Sequence, residues 1–483
     1  MADSLYLDRW AVELFFVLYL LVSIGFVVLE RRQPRTTLAW VLAIILLPGL
    51  GLVAYWVLGR RPYRRRARRS RRRREAANVA RSQVEHLERL PAELSVPERG
   101  LVQLALRSAA APLARAAAVE LLPAGPPALA SLRAAIEAAR EMVHLEFYIW
   151  RDDHTGREMT RLLTQRARAG VKVRVLCDQL GSFGLPRAHF VELLDAGGEM
   201  AFSNPLQIPS LRGARANFRN HRKLVAVDQC VGFVGGLNIA DEYLGELHTE
   251  SLWQDLFVRL EGEAVLGLDA IFAADWLDAG GGPVEQEGHP PFAFGASPAT
   301  TGAWLQIIAS GPDAPVEEAI AAQFNAAIAS AHSRCWIATP YLVPGEPLKL
   351  TLATAAMRGV DVRLLVPGRT DQWLVSMASA SYYDRLLAAG CGIYEYPQMM
   401  HSKYVIVDES MATIGSANMD IRSFHLNYEV TAMFYDRGVN ADLAEIFERD
   451  LVQASRIRPE DRANLTPGRR LIEAIARVLS PLL

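Results

Sequence analysis

Two stretches decide how this 483-residue chain folds: 217–238, NFRNHRKLVAVDQCVGFVGGLN, and 400–418, MHSKYVIVDESMATIGSAN. Each reads His-x-Lys, four residues, Asp, six residues, then Gly-(Gly/Ser)-x-Asn. The positions are His221, Lys223, Asp228, Gly235 and Asn238, and again His401, Lys403, Asp408, Gly415 and Asn418. The residues after each His are β-formers (LVAVD, YVIVD), so a His and a Lys two apart fall on one face of a strand. An imidazole beside an ammonium pairs a nucleophile or proton carrier with an anchor for phosphate. The glycines let a second strand approach closely, and the Asn adds amide donors for an anionic oxygen. A single His-x-Lys is an ordinary surface pair. Two copies with the same downstream Asp, Gly and Asn are not.

Formal net charge is -1, an average that hides a split. Residues 60–74, RRPYRRRARRSRRRR, hold eleven Arg and no acid, and without them 41 basic side chains face 53 acidic ones. The body is therefore mildly acidic, which disfavours nucleic acid as a partner. Cys177, Cys230, Cys335 and Cys391 are widely spaced without a CxxC pair, so neither a disulfide framework nor a zinc site is expected. They read as small, mostly buried hydrophobes in a reducing compartment.

Trp10 to Leu29 is twenty residues with one charge, Glu13, and Leu38 to Leu58 is twenty-one with none. Each is long enough for a membrane-spanning helix, with Trp10, Trp40, Tyr55 and Trp56 near the ends. The acidic residues Asp3 and Asp8, and the second apolar stretch, argue against a cleaved leader. The Arg block follows at once, so the positive-inside rule places the rest of the chain in the cytoplasm, although the short loop before it also carries three Arg. The expectation is a multi-pass membrane anchor, with the block drawn to anionic lipid.

Beyond a charged connector broken at Pro91 and Pro97, the chain repeats itself. LASLRAAIEAAR then MVHLEFYIW is echoed by VEEAIAAQFNAAIASA then CWIATPYLV; GREMTRLLTQRARAG then VKVRVLCD by LTLATAAMRG then VDVRLLVP. HFVELLDAGG then EMAFSNP is echoed by SYYDRLLAAG then CGIYEYP, and each series then reaches its His-x-Lys motif. A strand (LWQDLFVRLEG, NYEVTAMFYD) and an amphipathic helix follow each. The expected fold is α/β: two pseudo-twofold-related domains, mixed sheets with helices on both faces, behind a transmembrane hairpin. The expected boundaries are 1–59 for the anchor, 60–115 for the Arg block and connector, 116–279 and 304–483 for the domains, and 280–303 for a Gly/Pro linker.

The paired motifs resemble the HKD signatures of the phospholipase D superfamily. FYIW, TPYLVP, RNHRK, MDIRSFHLNYE and RRQPRTTLAW…LPGLGLVAYWVLGRRP narrow the resemblance to bacterial cardiolipin synthases over nearly the whole chain. The resemblance implies a site shared at the pseudo-twofold axis and the condensation of two phosphatidylglycerols to cardiolipin with release of glycerol. One His attacks phosphorus, giving a phosphohistidine; the other protonates the leaving alkoxide and then deprotonates the acceptor. The superfamily points to His221 as nucleophile and His401 as acid–base; spacing alone does not choose.

Lys223, Lys403, Asn238 and Asn418 are expected to hold the phosphate oxygens. A catalytic imidazole needs an acceptor on its other nitrogen; Asp255 and Glu429, on equivalent strands, are the candidates. The resemblance marks Asp228 and Asp408 as required, although seven residues after the His they could sit back and anchor a loop. No metal and no cofactor are expected, since Lys supplies the positive charge. Phosphatidylglycerol and anionic membrane lipid are the expected partners, and oligomeric state is not legible. The rivals are a phospholipase D with water as acceptor, another phosphatidyltransferase, a nuclease of the same fold, and a membrane scaffold with an inactive site.

Overall fold

A computed structural model describes residues 2–29, 34–56, 77–78, 81–82, 85, 90–123, 125–203, 218–243, 253–284, 302–312 and 318–480. The Arg block at 60–74 and most of the linker at 280–303 lie outside the described residues. What is described forms two compact units, a small N-terminal helical one and a large α/β one.

In the N-terminal unit the first helix runs from Ala2–Leu29, 28 residues. The second apolar stretch departs from the single span expected of it. It forms Pro34–Leu46, then breaks, and resumes as Leu50–Ala54. The break has a local cause: Pro48 has no amide hydrogen to give, and Gly49 takes φ 82°, a left-handed value that costs glycine little. The Gly49 amide donates instead to the Tyr19 hydroxyl at 3.0 Å. Val27, Ile44 and Tyr55 pack together, while Leu14, Phe15, Leu21, Leu29, Leu46 and Leu50 are exposed. Among the described residues no helix is long and apolar enough to cross a membrane.

The described α/β unit holds two large sheets with one strand order, beside a two-stranded one formed by Leu342–Val343 and Met419–Asp420. The first runs Ala118–Pro123, Leu256–Glu261, Val231–Gly235, Leu224–Val227, Met142–Phe147, Lys172–Asp178, Glu199–Ser203. The second repeats it as Ala303–Ser310, Glu429–Tyr435, Met411–Gly415, Tyr404–Val407, Arg334–Ala338, Asp361–Pro367, Gly392–Tyr396. In both, the last three strands are parallel because helices connect them, and the others are antiparallel. The second sheet gains Leu113–Ala116 on one edge and Ser455–Ile457 on the other.

Two details fall differently from the sequence reading. Pro97 does not break a helix but sits in the first turn of Val96–Ala109, behind a capping box in which Ser95 and Glu98 satisfy each other's backbone amides. The strand Leu113–Ala116 that follows joins the second sheet, while Ala118–Pro123 joins the first. The connector's end thus straps the two halves together. Between the sheets lies one apolar cluster drawn from both: Leu224, Val234 and Val258 from one, Ile406, Ile414 and Phe434 from the other, with Phe272, Trp276 and Phe447 from helices. Both motif strands are buried along their whole length, which fixes their register.

Candidate active site

The His and Lys of each motif lie on the extended lead-in, not within the ladder; the strands begin at Leu224 and Tyr404. What holds these lead-ins is the opposite half. Asn220 bridges to Tyr428 and Met400 to Gln254, the residues immediately before each histidine and before each candidate carboxylate. The His221 amide donates to the Tyr428 carbonyl at 3.0 Å, and the His401 amide to the Gln254 carbonyl at 2.6 Å. These symmetric bridges set two side-chain pairs across the halves. His221 Nδ1 lies 3.0 and 3.1 Å from the Glu429 carboxylate oxygens. His401 Nδ1 lies 2.7 Å from Asp255 Oδ2. With Nδ1–H donated to a carboxylate, the lone pair of each neutral ring sits on Nε2.

Glycines make room for the carboxylates. A side chain at Gly235 would meet the Leu256 carbonyl at 2.3 Å, and one at Gly415 the Val430 carbonyl at 2.4 Å. Gly236 presses on Asp255 itself: an added Cβ would stand 2.1 Å from Oδ1. The second motif has Ser416 at the corresponding place, and its hydroxyl donates to Glu429 Oε2. The Gly-Gly and Gly-Ser variants therefore match a short carboxylate and a longer one.

Lys223 and Lys403 are almost fully buried, and each ammonium donates to the carbonyl of the histidine two residues before it. Burial pulls Lys403 down to about 8 and Lys223 well below the usual lysine range, against the attraction of Asp255 and Glu429. Burial also lowers His221 to about 4, and His401 well below the ordinary histidine range, where both lysines and His221 add repulsion. Asp255 is raised to about 7 by burial. All four cationic or basic groups thus act on one another in one low-dielectric space.

Asn238 and Asn418 are in the neighbourhood but tied to it. Asn238 accepts from the Ile149 amide and donates to the Tyr243 hydroxyl; Asn418 donates to Asp420, and its buried Oδ1 has no hydrogen-bond partner. Asp228 and Asp408 do not join the histidines. Seven extended residues carry them on the order of 20 Å along the chain. Asp228 accepts from the amides of Arg140, Glu141 and Met142, and Asp408 from those of His332, Ser333 and Arg334. Both take positive φ, 49° and 50°. They clamp a turn to the start of the neighbouring strand, in line with the loop-anchoring place the sequence left open for them.

The sequence reading missed the walls. The Tyr148 ring meets His221 edge-on at 4.9 Å and lies 5.3 Å from Lys223 Nζ. Trp253 and Tyr243 flank His401, with the Tyr243 hydroxyl 3.3 Å from Nδ1. Tyr148 lay in the noted FYIW run and Trp253 two residues before Asp255, but nothing in their spacing distinguishes a wall from a core aromatic.

Among known proteins, the family described as "Cardiolipin synthase, PLD-like domain" matches residues 132–276 and 324–451. "Phospholipase_D-nuclease N-terminal" matches residues 15–60. The chain is 39% identical over 461 residues to a cardiolipin synthase of Geobacillus kaustophilus, spanning 94% of this chain and 90% of that one. It is 37% identical over 500 residues to one of Halalkalibacterium halodurans, spanning 100% and 97%. The chain belongs to the phospholipase D-type cardiolipin synthases. That family is one of phosphatidyltransferases. In fold it is similar to the crystal structure of phosphatidylserine synthase from Haemophilus influenzae, TM-score 0.61 at 14% identity, covering 80% of this chain and 100% of that one.

The geometry separates two kinds of aspartate. Asp255→Asn should lower kcat by about 10³–10⁴-fold through the wrong imidazole tautomer, with little change in the unfolding midpoint. Asp228→Asn should cost about 1–3 kcal/mol of stability and leave the pH profile of the surviving activity in place. Equal losses of kcat at equal stability would show that the distinction is wrong.

The low pKa of Lys403 sets an alkaline limit. The ammonium is present below about 8 and lost as pH rises through that value, so kcat/KM should fall on its alkaline side near 8. Lys403→Arg, which keeps its charge, should remove that limb while lowering the plateau. The limb of kcat should lie higher, because a bound anion favours the protonated lysine. An alkaline limb unchanged in the arginine variant would assign it to another group.

Proposed function

We propose that this site condenses two phosphatidylglycerol molecules into cardiolipin and glycerol through a phosphohistidine. The observation that carries the reading is the crossed pairing, in which each half's histidine is oriented by the other half's carboxylate and both lysines stand beside them. In the first step the Nε2 lone pair of His221 forms a bond to phosphorus as the P–O bond to glycerol breaks, and His401, entering the step as an imidazolium paired with Asp255, gives its Nε2 proton to the leaving alkoxide and is left neutral. In the second, His401 takes the proton of an incoming phosphatidylglycerol hydroxyl, whose oxygen displaces His221. Lys223 and Lys403 neutralise the charge that builds on the non-bridging oxygens, and Asn418, whose amide group already faces Asp420, is the nearer of the two asparagines to an unsatisfied state. Phosphodiester is exchanged for phosphodiester, so the reaction draws on no nucleotide.

The asymmetry of the two halves supports His221 as nucleophile. Glu429 accepts from His221, Ser416 and Asn427, so three donors fix in place the group that must stand beside a phosphoimidazolium. Asp255, poised near 7 against His401, suits a pair that passes a proton both ways. Incubation of the purified protein with phosphatidylglycerol alone is expected to give cardiolipin and glycerol; phosphatidic acid as the product would instead make water the acceptor. With labelled phosphatidylglycerol quenched in alkali, His401→Ala should accumulate a phosphatidyl adduct on His221, and His221→Ala should form none. Label on His401 in the wild type would reverse the assignment.

We further propose that residues 1–59 anchor the enzyme in the bacterial inner membrane, with the Arg block and catalytic unit on the cytoplasmic side. The support is the exposed apolar surface of the N-terminal helices and the charge block that follows. Each Arg near an anionic surface contributes roughly 1 kcal/mol, screened by salt. A chain starting at Glu75 should retain turnover in detergent–lipid micelles and lose it selectively on vesicles. A folded but inert truncated chain would tie the N-terminal unit to the chemistry.

A further inference from the structure

The C-terminal helix Pro467–Leu479, PGRRLIEAIARVL, is mounted inside out. Its apolar side chains recur at Leu471, Ile472, Ile475, Val478 and Leu479, the spacing of one continuous helical stripe. In a helix of a soluble core that stripe faces inward. Here it faces outward, with Leu471 61%, Ile475 50% and Val478 77% exposed. The inward face carries only Ala476 as an apolar contact, beside Glu473. Glu473 is buried and accepts from Arg462 at 2.6 and 3.1 Å and from Arg469 at 3.0 Å. Arg462 also reaches Asp384, and Arg477 stacks over Tyr382, so ion pairs and a cation–π contact fasten this helix to Trp373–Ala388. A helix held by its charges has left its apolar stripe for something else.

We propose that this stripe is a second membrane-contacting element, lying in the headgroup–acyl boundary of an anionic bilayer and independent of the N-terminal helices. Three features select lipid over a protein partner. The helix carries three Arg against one Glu, and Arg470 is exposed while Arg469 and Arg477 are half-buried against Glu473 and Tyr382; an excess of cations suits anionic lipid. Its length, 13 residues, falls short of a span but suits a helix lying in the interface. The neighbouring helix opens with Trp373, 59% exposed, an amphipathic ring suited to the same depth. Trp373 stands two residues after Asp371, whose carboxylate accepts from the Tyr341 hydroxyl and acts electrostatically on Lys403. Asp371 thus links the start of this neighbouring helix electrostatically to Lys403. The inference rests on the lipid-substrate reading given above, but its physical test does not.

The test uses the full-length protein reconstituted in phosphatidylglycerol vesicles. With Cys230, the exposed cysteine, changed to Ala, Val478→Cys is labelled with an environment-sensitive fluorophore. Brominated acyl chains should quench it, and zwitterionic vesicles at high salt should weaken the quenching. The combined variant Leu471→Glu, Ile475→Glu should lower turnover on vesicles about tenfold and leave turnover of short-chain, monomeric phosphatidylglycerol within twofold. Loss on both substrates indicates misfolding, and the quenching result then decides alone. No quenching overturns the proposal, as does cross-linking of the introduced thiol between two copies without quenching, which would make the occupant a second chain. Quenching of the labelled Val478→Cys protein, with a wild type that makes no cardiolipin, would sink the functional reading and leave this one standing.

Discussion

The structure depends on one constraint: each half must deliver a carboxylate to the histidine of the other. Neither pair is local, since 208 residues separate His221 from Glu429 and 146 separate His401 from Asp255. The pairs are held by backbone bridges one residue before each member, so side-chain geometry is set by main-chain pairing rather than by rotamers alone. The shared apolar cluster between the sheets and the strap through Leu113–Pro123 keep those bridges in register. A single half carries a motif and half of the support for another. That is a physical reason for two copies in one chain.

Much of this was legible in the sequence, and the limits are instructive. Repeated helix–strand pairs revealed two equivalent α/β halves, because alternation of apolar strands and amphipathic helices is a local signal. Asp255 and Glu429 were found by their equivalent places in the two halves. Their crossing was not, because periodicity within a segment says nothing about which half it faces. Asp228 and Asp408 share the motif's spacing with the histidines, yet spacing records recurrence rather than distance; only the turn's three amide donors show what they hold. The break at Pro48 and Gly49 was visible as residues but outweighed by the apolar run around it. The edge strands Ala118–Pro123 and Ala303–Ser310 went unread, because they lie outside the compared repeats.

The two halves are copies with a purposeful difference. Asp is one methylene shorter than Glu, so its backbone neighbour must come closer, and Gly236 permits this where a Cβ would collide. Glu429 reaches farther and has room for the Ser416 hydroxyl and the Asn427 amide. Two chemically similar sites are thereby made unequal in hydrogen bonding. In a low-dielectric space that inequality separates the tendencies of two otherwise equivalent imidazoles, which the proposed two-step displacement would require.

The same space explains the lysines. Two ammoniums beside each other cost solvation and repel, and the backbone carbonyls they bond carry no full charge to offset this. Burial accordingly lowers both toward the neutral form. In the proposed reaction an incoming phosphodiester would reverse the balance: its anion would favour both charged lysines, and each lysine so favoured would bind it more tightly. As pentavalent phosphorus developed, negative charge would grow on the oxygens the ammoniums face, so the interaction would be larger in the transition state than in the bound substrate. On that proposal the unfavourable electrostatics of the paired lysines are the form in which selectivity for transferring phosphate is stored.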